Sequence, residues 1–391
     1  MKILMLQDFF GIGLQYQENL LTDHYIRQGH KVVVICSTFE NVFDYIADRY
    51  NPTLPKKTEE YNGAKIIRLP YSLNFMNKLR KHSGVYEIIC NEKPDLIYAH
   101  DIHLNLSDAS KYAKKNRNCK IIMDYHSDFS NSANHWLSVP ILHKIIRKRF
   151  LYRYLNHLAR IYPVVPASEV FLNKVYNVPY SRMDLLPLGC DYKICKETMN
   201  SVDKSKLRRQ YGIKNNDIVI FTGGKFNPEK RTEIAVRALK KLNADNVHLI
   251  IIGEAGPDHK IYEEKLKAEA IGTNTHFTGM VNAQTSYELM AISDVALYPA
   301  SQSVLWQQSI GMHLPLIAGD TGDQDMSYLN KNGNVIKISK ENINENFIAD
   351  ILKSLIFDSN YLNTMKNGAM KTAQEYLDYD VIAKRTLEVL M

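Results

Sequence analysis

Four residues of this 391-residue chain have the types and spacing to hold an anion: Gly223, Gly224, Lys225 and Lys230, within IVIFTGGKFNPEKRTEIAVRALKKL (218–242). An apolar strand pattern runs into two glycines. Glycines turn sharply and present backbone N–H groups, while a helix beginning near Pro228 adds partial positive charge at its start. Two lysines at that spacing can grip a diphosphate from two sides. The segment is neither a Walker sequence nor a G-x-G-x-x-G fingerprint, which argues against the common ATPase and dehydrogenase chemistries. The competing interpretation is an ordinary tight strand-to-helix turn with solvated lysines.

Such a loop needs a strand behind it and a helix after it, and the chain supplies that unit repeatedly. In the first half, apolar runs predict strands at Lys2–Leu6, Lys31–Cys36, Asp95–Ala99, Lys120–Asp124 and Ile161–Val165, with a helix over Tyr16–Gly29. In the second, strands are expected at Ile218–Thr222, Val247–Gly253, Thr275–Gly279, Asp294–Tyr298 and Leu314–Ala318. Alternation of this kind means βαβ units, an α/β class and mainly parallel sheets, with ligands at the carboxyl ends of the strands. The polar, lysine-rich stretch at 190–215 reads as an interdomain boundary. We therefore expect domains over 1–195 and 196–372, a cleft between them, and a C-terminal helix at 373–391 packing back on the first.

Composition agrees with a globular chain: 45% hydrophobic, 23% charged, net charge +7. The basic excess favours an anionic partner, although no recognised nucleic-acid-binding module is present. The five cysteines, Cys36, Cys90, Cys119, Cys190 and Cys195, lack C-x-x-C pairing, which points to a reducing compartment and to no structural zinc. The N-terminus reads as a first strand, not a leader, and no apolar window reaches the ~18–20 residues that span a bilayer. The expected location is cytoplasmic. Segment 143–160, HKIIRKRFLYRYLNHLAR, carries six Lys/Arg and no acid, with aromatic and leucine residues interleaved. As a basic amphipathic helix it would suit an anionic membrane surface or simply pack on the first sheet. NFMNKLRKH (74–82) is a second, weaker basic candidate.

GGKFNPEK resembles the Gly-Arg/Lys…Pro-Glu-Lys signature of glycosyltransferase family 4, whose fold is GT-B. The resemblance continues in LIIIGEAGPD (249–258), in THFTGMVNAQTSYELMAISDVALYPAS (275–301), in LPLIAGD (314–320), and in PASEVFLNKVYNVPYSRMDLLPLGCDY (166–192). It is looser in FGIGLQYQENLLTDHYIRQGHKVVVI (10–35) and PDLIYAHD (94–101). It implies two Rossmann-like domains facing each other across a cleft, and transfer of a hexose, with retention, from a nucleoside-diphosphate sugar to a sugar or lipid-linked acceptor. It places Lys225 and Lys230 on the donor diphosphate, with Gly223 and Gly224 beneath it and Gly11 and Gly13 facing the phosphates and sugar. Met280 and Val281 fall in the turn that meets the base, and Ser301, Gln302, Ser303, Val304 and Leu305 in the loop that approaches a phosphate. His126, in IIMDYHSDF, falls beside the transferring sugar, flanked by Asp124 and Asp128, with His100 a lesser candidate. Lysines neutralising the diphosphate imply no metal or other cofactor, in keeping with the lack of an Asp-x-Asp pair.

One departure from the family is pronounced. The pair of glutamates expected before and within the helix leading to Leu314-Pro315 falls on Ala300 and Gln308. Gln308 retains an oxygen that accepts from a ribose hydroxyl but lacks charge-assisted strength, and Ala300 contacts no sugar hydroxyl. Trp306 either stacks on a ring or fills the core. Two alternatives follow: a non-catalytic partner subunit of the same fold, and a nucleotide-sugar epimerase drawing on Glu18, Asp101, Asp124 and Asp128.

Overall fold

In a computed structural model, residues 1–39, 56–132, 138–300, 302–322 and 324–391 are described. The chain divides into two compact units, one formed by Met1–Leu188 with Tyr379–Met391, the other by Gly189–Asp378. The first division falls a few residues before the polar stretch at 190–215 and the second just past 372.

In the first unit the strands are β1 (Lys2–Leu6), β2 (Lys31–Ser37), β3 (Lys57–Tyr61), β4 (Ala64–Leu69), β5 (Tyr71–Phe75), β6 (Leu79–His82), β7 (Leu96–His100), β8 (Lys120–Tyr125) and β9 (Leu158–Pro163). Seven of them make one sheet in the order β3-β4-β2-β1-β7-β8-β9, parallel except for the β3–β4 pair. β1, KILML, is apolar from Ile3 onward because both of its faces are covered there, as in most parallel sheets. One face packs Leu4, Leu6, Ile97 and Met123 against Phe171 and Leu172. The other packs Ile3, Met5 and Val34 against Leu21 and Tyr25 of the helix Gln17–Arg27 and Ile382 of the C-terminal helix. Each such side chain contributes roughly 1.5–3 kcal/mol on burial. Gly29, at φ +82°, stops the Gln17–Arg27 helix, as its place in the sequence suggests.

Two hairpins lie outside the sequence-based expectation. β3 and β4 join through Asn62-Gly63, both at positive φ, the residue pair that a two-residue hairpin turn favours. β5 and β6 join through Met76-Asn77, also at positive φ and without glycine to announce it.

In the second unit β10 (Ile218–Gly223), β11 (Val247–Ile252), β12 (Thr275–Gly279), β13 (Val295–Tyr298), β14 (Leu316–Gly319) and β15 (Val335–Ile338) form a sheet ordered β12-β11-β10-β13-β14-β15, parallel at every pairing. The helix Thr232–Leu242 covers it, burying Ile234, Ala235, Val236, Ala238 and Leu239 and leaving Lys240 and Lys241 in solvent. The basic helix expected over 143–160 forms only as far as His157 and changes type along its length. A wide π-type helix spans Ser138–Arg147, an α-helix Lys148–Tyr154 and a short turn Leu155–His157, and β9 then begins at Leu158. His143 is buried against the Tyr176 hydroxyl (2.6 Å), which pins the middle of the segment. Among the described residues no helix is long and apolar enough to cross a membrane.

Candidate functional site

Strand order identifies where each unit offers a crevice. In the second unit the winding direction reverses between β10 and β13. Chains leaving the carboxyl ends of two such strands diverge, and the gap between them is where open α/β sheets hold ligands. β10 ends at Gly223 and the segment after it contains Gly224, Lys225 and Lys230, while the loop after β13 contains Ala300, Gln302, Ser303 and Val304. Lys230 bridges them. Its stem lies over Gly224, where a Cβ would sit 3.3 Å from its Cε, and its ammonium donates to the Gln302 carbonyl at 3.4 Å. Burial holds its pKa below the ordinary lysine value, as expected of a cation withdrawn from water and awaiting a counter-charge.

The glycines here are sterically required. A Cβ on Gly223 would lie 2.3 Å from the Ile252 side chain, and one on Gly253 (φ +110°) 2.1 Å from the Gly224 carbonyl oxygen. The tips of β10, β11 and β12 thereby approach one another, with Gly224 N–H donating to Ile252 (3.0 Å) and Gly253 N–H to Gly279 (2.8 Å). Asn227 caps the turn at Pro228–Lys230 through its side-chain oxygen, 3.1 Å from the Lys230 amide.

The other residues singled out in the sequence are distributed as follows. Lys225 is exposed and runs beside Gly256, where a Cβ would meet its Cε at 3.2 Å. Met280 is largely exposed and Val281 half-buried, in the turn that follows Gly279. Val304 precedes the helix Leu305–Gly311, and the Ser303 hydroxyl accepts from the Leu305 amide at 3.3 Å. Gln308 is half-buried, whereas its neighbour Gln307 turns inward to donate to the Tyr328 hydroxyl (3.1 Å). Ala300 and Trp306 are buried, so Trp306 is a core residue and not a stacking platform. Ser301 lies outside the described residues.

In the first unit the winding reverses between β1 and β7, and a cavity of about 180 Å³ opens at that point. The loop after β1 lines it with Gln7, Asp8 and Gly11, the start of the Gln17–Arg27 helix with Glu18, and the loop after β7 with His100, Asp101 and His103. Lys78 and Arg80 enter from the β5–β6 hairpin, and Arg147 from the π-type helix. The loop after β1 is held from below by Arg68, a buried guanidinium that donates to the Phe10 carbonyl (3.0 Å) and the Phe39 carbonyl (2.8 Å). Asn19 donates to the Gly11 carbonyl (2.9 Å), while Gly13 (φ +80°) stands exposed beyond it.

Behind the cavity is a buried carboxylate, Asp124. It accepts from the Tyr98 hydroxyl (3.0 Å) and the Asp101 amide (3.1 Å), and it meets His100 Nδ1 (3.2 Å) and His126 Nε2 (3.1 Å). Burial opposes ionisation of Asp124, yet the two imidazoles hold its pKa well below the usual carboxylate range. Burial likewise opposes charge on His100, but Asp124, Asp101 and Glu18 outweigh it and lift His100 to about 10. Glu18 is pushed the other way, upward, chiefly by burial. His103, buried and facing the like charges of His82 and Arg80, is depressed to about 3 despite Asp8.

His100, not His126, reaches the cavity wall. The His126 amide donates to Asp101 (2.9 Å), its carbonyl is taken by Asn131 (3.0 Å), and its ring stacks obliquely on His100 with centroids 4.6 Å apart. Of the four carboxylates considered for epimerase chemistry, Glu18 and Asp101 line the cavity, Asp124 is sealed beneath the histidines, and Asp128 caps a short helix through the Ser130 and Asn131 amides. His100, Asp124 and His126 place ligand atoms within 4.8 Å of one another, as do Asp8, His82 and His103. The first trio is satisfied as a hydrogen-bonded ion network. In the second, Asp8 is paired with Arg80 at 2.6 Å, a cation that would repel a metal. Asp8, Lys78, Arg80 and Arg147 line this cavity without having been named individually in the sequence, although Arg147 lies in the basic segment 143–160 and Lys78 and Arg80 in 74–82. NFMNKLRKH stood out only for its charge.

The family models described as "Glycosyl transferases group 1" and "Glycosyltransferase Family 4" match residues 203–371 and 19–193. The chain is a glycosyltransferase of family 4. It is similar to an uncharacterized glycosyltransferase of Methanocaldococcus jannaschii, with 21% identity across 96% of this chain and 93% of the relative. It is also similar to the lipopolysaccharide 1,2-N-acetylglucosaminetransferase of Salmonella typhimurium, with 22% identity across 59% of this chain and 53% of that protein. Among solved structures, Anabaena HepE in complex with UDP matches with TM-score 0.68 and 17% identity, covering 100% of this chain and 99% of that one. A trehalose-6-phosphate protein of E. coli bound with UDP-2-fluoro glucose matches with TM-score 0.68 and 12% identity, covering 100% and 99%. The fold of this glycosyltransferase is therefore GT-B.

Proposed function

We propose that this glycosyltransferase moves a hexosyl group, with retention, from a nucleoside-diphosphate sugar to an acceptor hydroxyl. The second unit would bind the donor and the first the acceptor. The observation that carries the donor assignment is Lys230, half-buried over Gly224 and tied to the loop after β13, at the point where the second sheet reverses its winding. As the glycosidic bond to the donor breaks, negative charge grows on the leaving diphosphate. A pre-positioned ammonium and loop amides stabilise that charge where it develops, with Lys225 as the second cation. Positive charge grows on the sugar ring, and the carboxylate-backed His100–Asp124–His126 group is the first unit's means of orienting it.

The names of the structural neighbours mention UDP and UDP-2-fluoro glucose, which supports a uridine nucleotide as the first donor to test. The Salmonella relative's name supports a role in cell-surface polysaccharide or glycolipid synthesis. Exposed Ile141, Ile145, Ile146 and Tyr152, beside the exposed Lys144, Arg149 and Arg153, support peripheral contact with an anionic membrane, where each cation adds about 1 kcal/mol. The competing role, a non-catalytic partner subunit, is favoured by Ala300, whose buried methyl offers a donor sugar no polar group.

The test is calorimetry of UDP, GDP and ADP and their glucose conjugates on the wild type and Lys230→Ala. Loss of a charge-assisted contact, ~1.5–3 kcal/mol, corresponds to a roughly 10- to 150-fold weaker Kd in the variant. A wild type that binds none of these ligands would sink the transferase assignment. Nucleotide binding without turnover on any acceptor would favour the partner subunit.

A further inference from the structure

Two side chains in the wall of the first unit's cavity end in hydrogen-bonding atoms that the described residues leave unused. Gln7 follows β1 and is 2% exposed, and its buried Nε2 has no hydrogen-bond partner. His103 follows β7 and is 5% exposed, and its buried Nε2 has none either. The hydrogen of that ring can be placed. The Asn105 amide donates to His103 Nδ1 at 3.2 Å, so Nδ1 presents a lone pair and Nε2 carries the N–H. Burial, chiefly, depresses the ring to about 3, which makes it an uncharged donor across the physiological range with no lone pair at Nε2 for a metal. Asp8 Oδ1 lies 3.7 Å from this Nε2, too far for a hydrogen bond. The other Asp8 oxygen is committed to Arg80 at 2.6 Å, while Oδ1 receives the Tyr71 hydroxyl only at 3.4 Å and has room for a second, shorter bond. An oxygen about 2.8 Å from each would complete both groups. The surroundings hold them in place. His103 stacks on His82 with centroids 5.2 Å apart, and His82 on Tyr71 at 4.9 Å. His82 donates from Nε2 to the Gln7 carbonyl at 3.0 Å, and its backbone exchanges bonds of 2.9 and 3.0 Å with the Asn105 carboxamide.

An oxygen that accepts from His103 and also donates to Asp8 is a hydroxyl. A carbonyl has no hydrogen for Asp8, and a phosphate or carboxylate would set like charge against it. We propose that His103 and Asp8 together seat one hydroxyl of an uncharged carbohydrate acceptor, with the Gln7 carboxamide offering a further hydrogen-bonding group in the same wall. This deepens the reading of the first unit as the acceptor side and rests on it. It makes His103 and Asp8 specificity-determining residues. A sugar lacking that hydroxyl leaves two buried polar groups without a partner, and that penalty is how a site built for a hydroxyl rejects its deoxy analogue.

The experiment uses the full chain, labelled with ¹⁵N at histidine and observed by NMR in the presence of UDP. It is titrated with the methyl glycosides of glucose, galactose, mannose and N-acetylglucosamine. The His103 ring signal is identified by its loss in His103→Phe, which keeps an aromatic ring on His82 and whose folding is checked by UDP affinity. The free protein should show an Nε2-protonated His103 pattern that does not change between about pH 5 and 8. At least one glycoside should move that signal, and its single-deoxy analogues are then titrated. Removing one particular hydroxyl should weaken binding to the wild type roughly tenfold or more. His103→Phe should bind the parent glycoside and that analogue with equal affinity, because the contact is already lost. The proposal is overturned if no glycoside moves the His103 signal. It is equally overturned if His103→Phe weakens the parent and every deoxy analogue by one common factor, which is what a merely structural role would give. A glycoside that shifts His100 but not His103 leaves the acceptor in this cavity and removes the seat assigned here, whereas glycosides that shift neither remove both. Binding at His103 by a protein that fails to bind UDP would instead remove the donor assignment and leave this one standing.

Discussion

Replacing Asp124 by Asn keeps the shape of the side chain and removes the charge on which the back wall of the first unit's cavity depends. Asp124 is 1% exposed and satisfies four neighbours at 3.0–3.2 Å, one of them the His100 imidazole, which it helps lift from 6.5 to about 10. At ~1.36 kcal/mol per pH unit that displacement amounts to roughly 5 kcal/mol. The 29% exposure of the His100 side chain trims this to about 3. Removing one member of a buried pair typically costs ~3–5 kcal/mol, in agreement. The sign follows from His100 being raised. Its contribution is complete below pH ~6.5 and is lost as pH climbs through about 10. The depressed Asp124 carboxylate stays ionised across that whole range and gives up its share only in acid. The stability gap between wild type and Asp124→Asn, from urea unfolding followed by circular dichroism, is thus widest near pH 6 and narrows by about 3 kcal/mol toward pH 10. An imidazole titration by NMR supplies the direct readout. His100 stays protonated beyond pH 9 in the wild type and titrates below pH 8 in the variant. A gap independent of pH, or a His100 that titrates alike in both proteins, would refute the electrostatic account.

Gly253→Ala forces a Cβ to within 2.1 Å of the Gly224 carbonyl at φ +110°, so it should cost at least ~2 kcal/mol and weaken UDP binding, read by thermal melting and calorimetry. Trp306→Phe should lower stability by ~1–3 kcal/mol through its core vacancy while leaving the UDP Kd within about threefold; a larger loss of affinity would restore Trp306 as a ligand platform. Gln308→Glu should tighten UDP binding several-fold if the half-buried side chain faces the ribose, since a charged acceptor strengthens a hydroxyl hydrogen bond. No change in Kd would place Gln308 away from the nucleotide.

Local chemistry settled much of this protein in advance. Ten strands were legible because a parallel strand buried on both faces must be apolar along its length, and GGKFNPEK announced a strand tip, a sharp turn and a capped helix start in consecutive residues. The steric need for Gly223 is likewise local to its strand end. What the order of residues left open is what distant segments do to one another. Asn62-Gly63 was a readable hairpin signal beneath a polar strand, but Met76-Asn77 has only Asn77 as a turn former and no glycine, so the hairpin that delivers Lys78 and Arg80 to a cavity looked like a merely basic stretch. Segment 143–160 had helical periodicity throughout, yet sheet pairing claimed its end as β9 and the buried His143–Tyr176 contact reshaped its start. His126 was prominent by its place in the chain. Burial of one carboxylate between two imidazoles set His126 beside His100, which lines the cavity, because a charge shared in low dielectric depends on β7 and β8 arriving side by side.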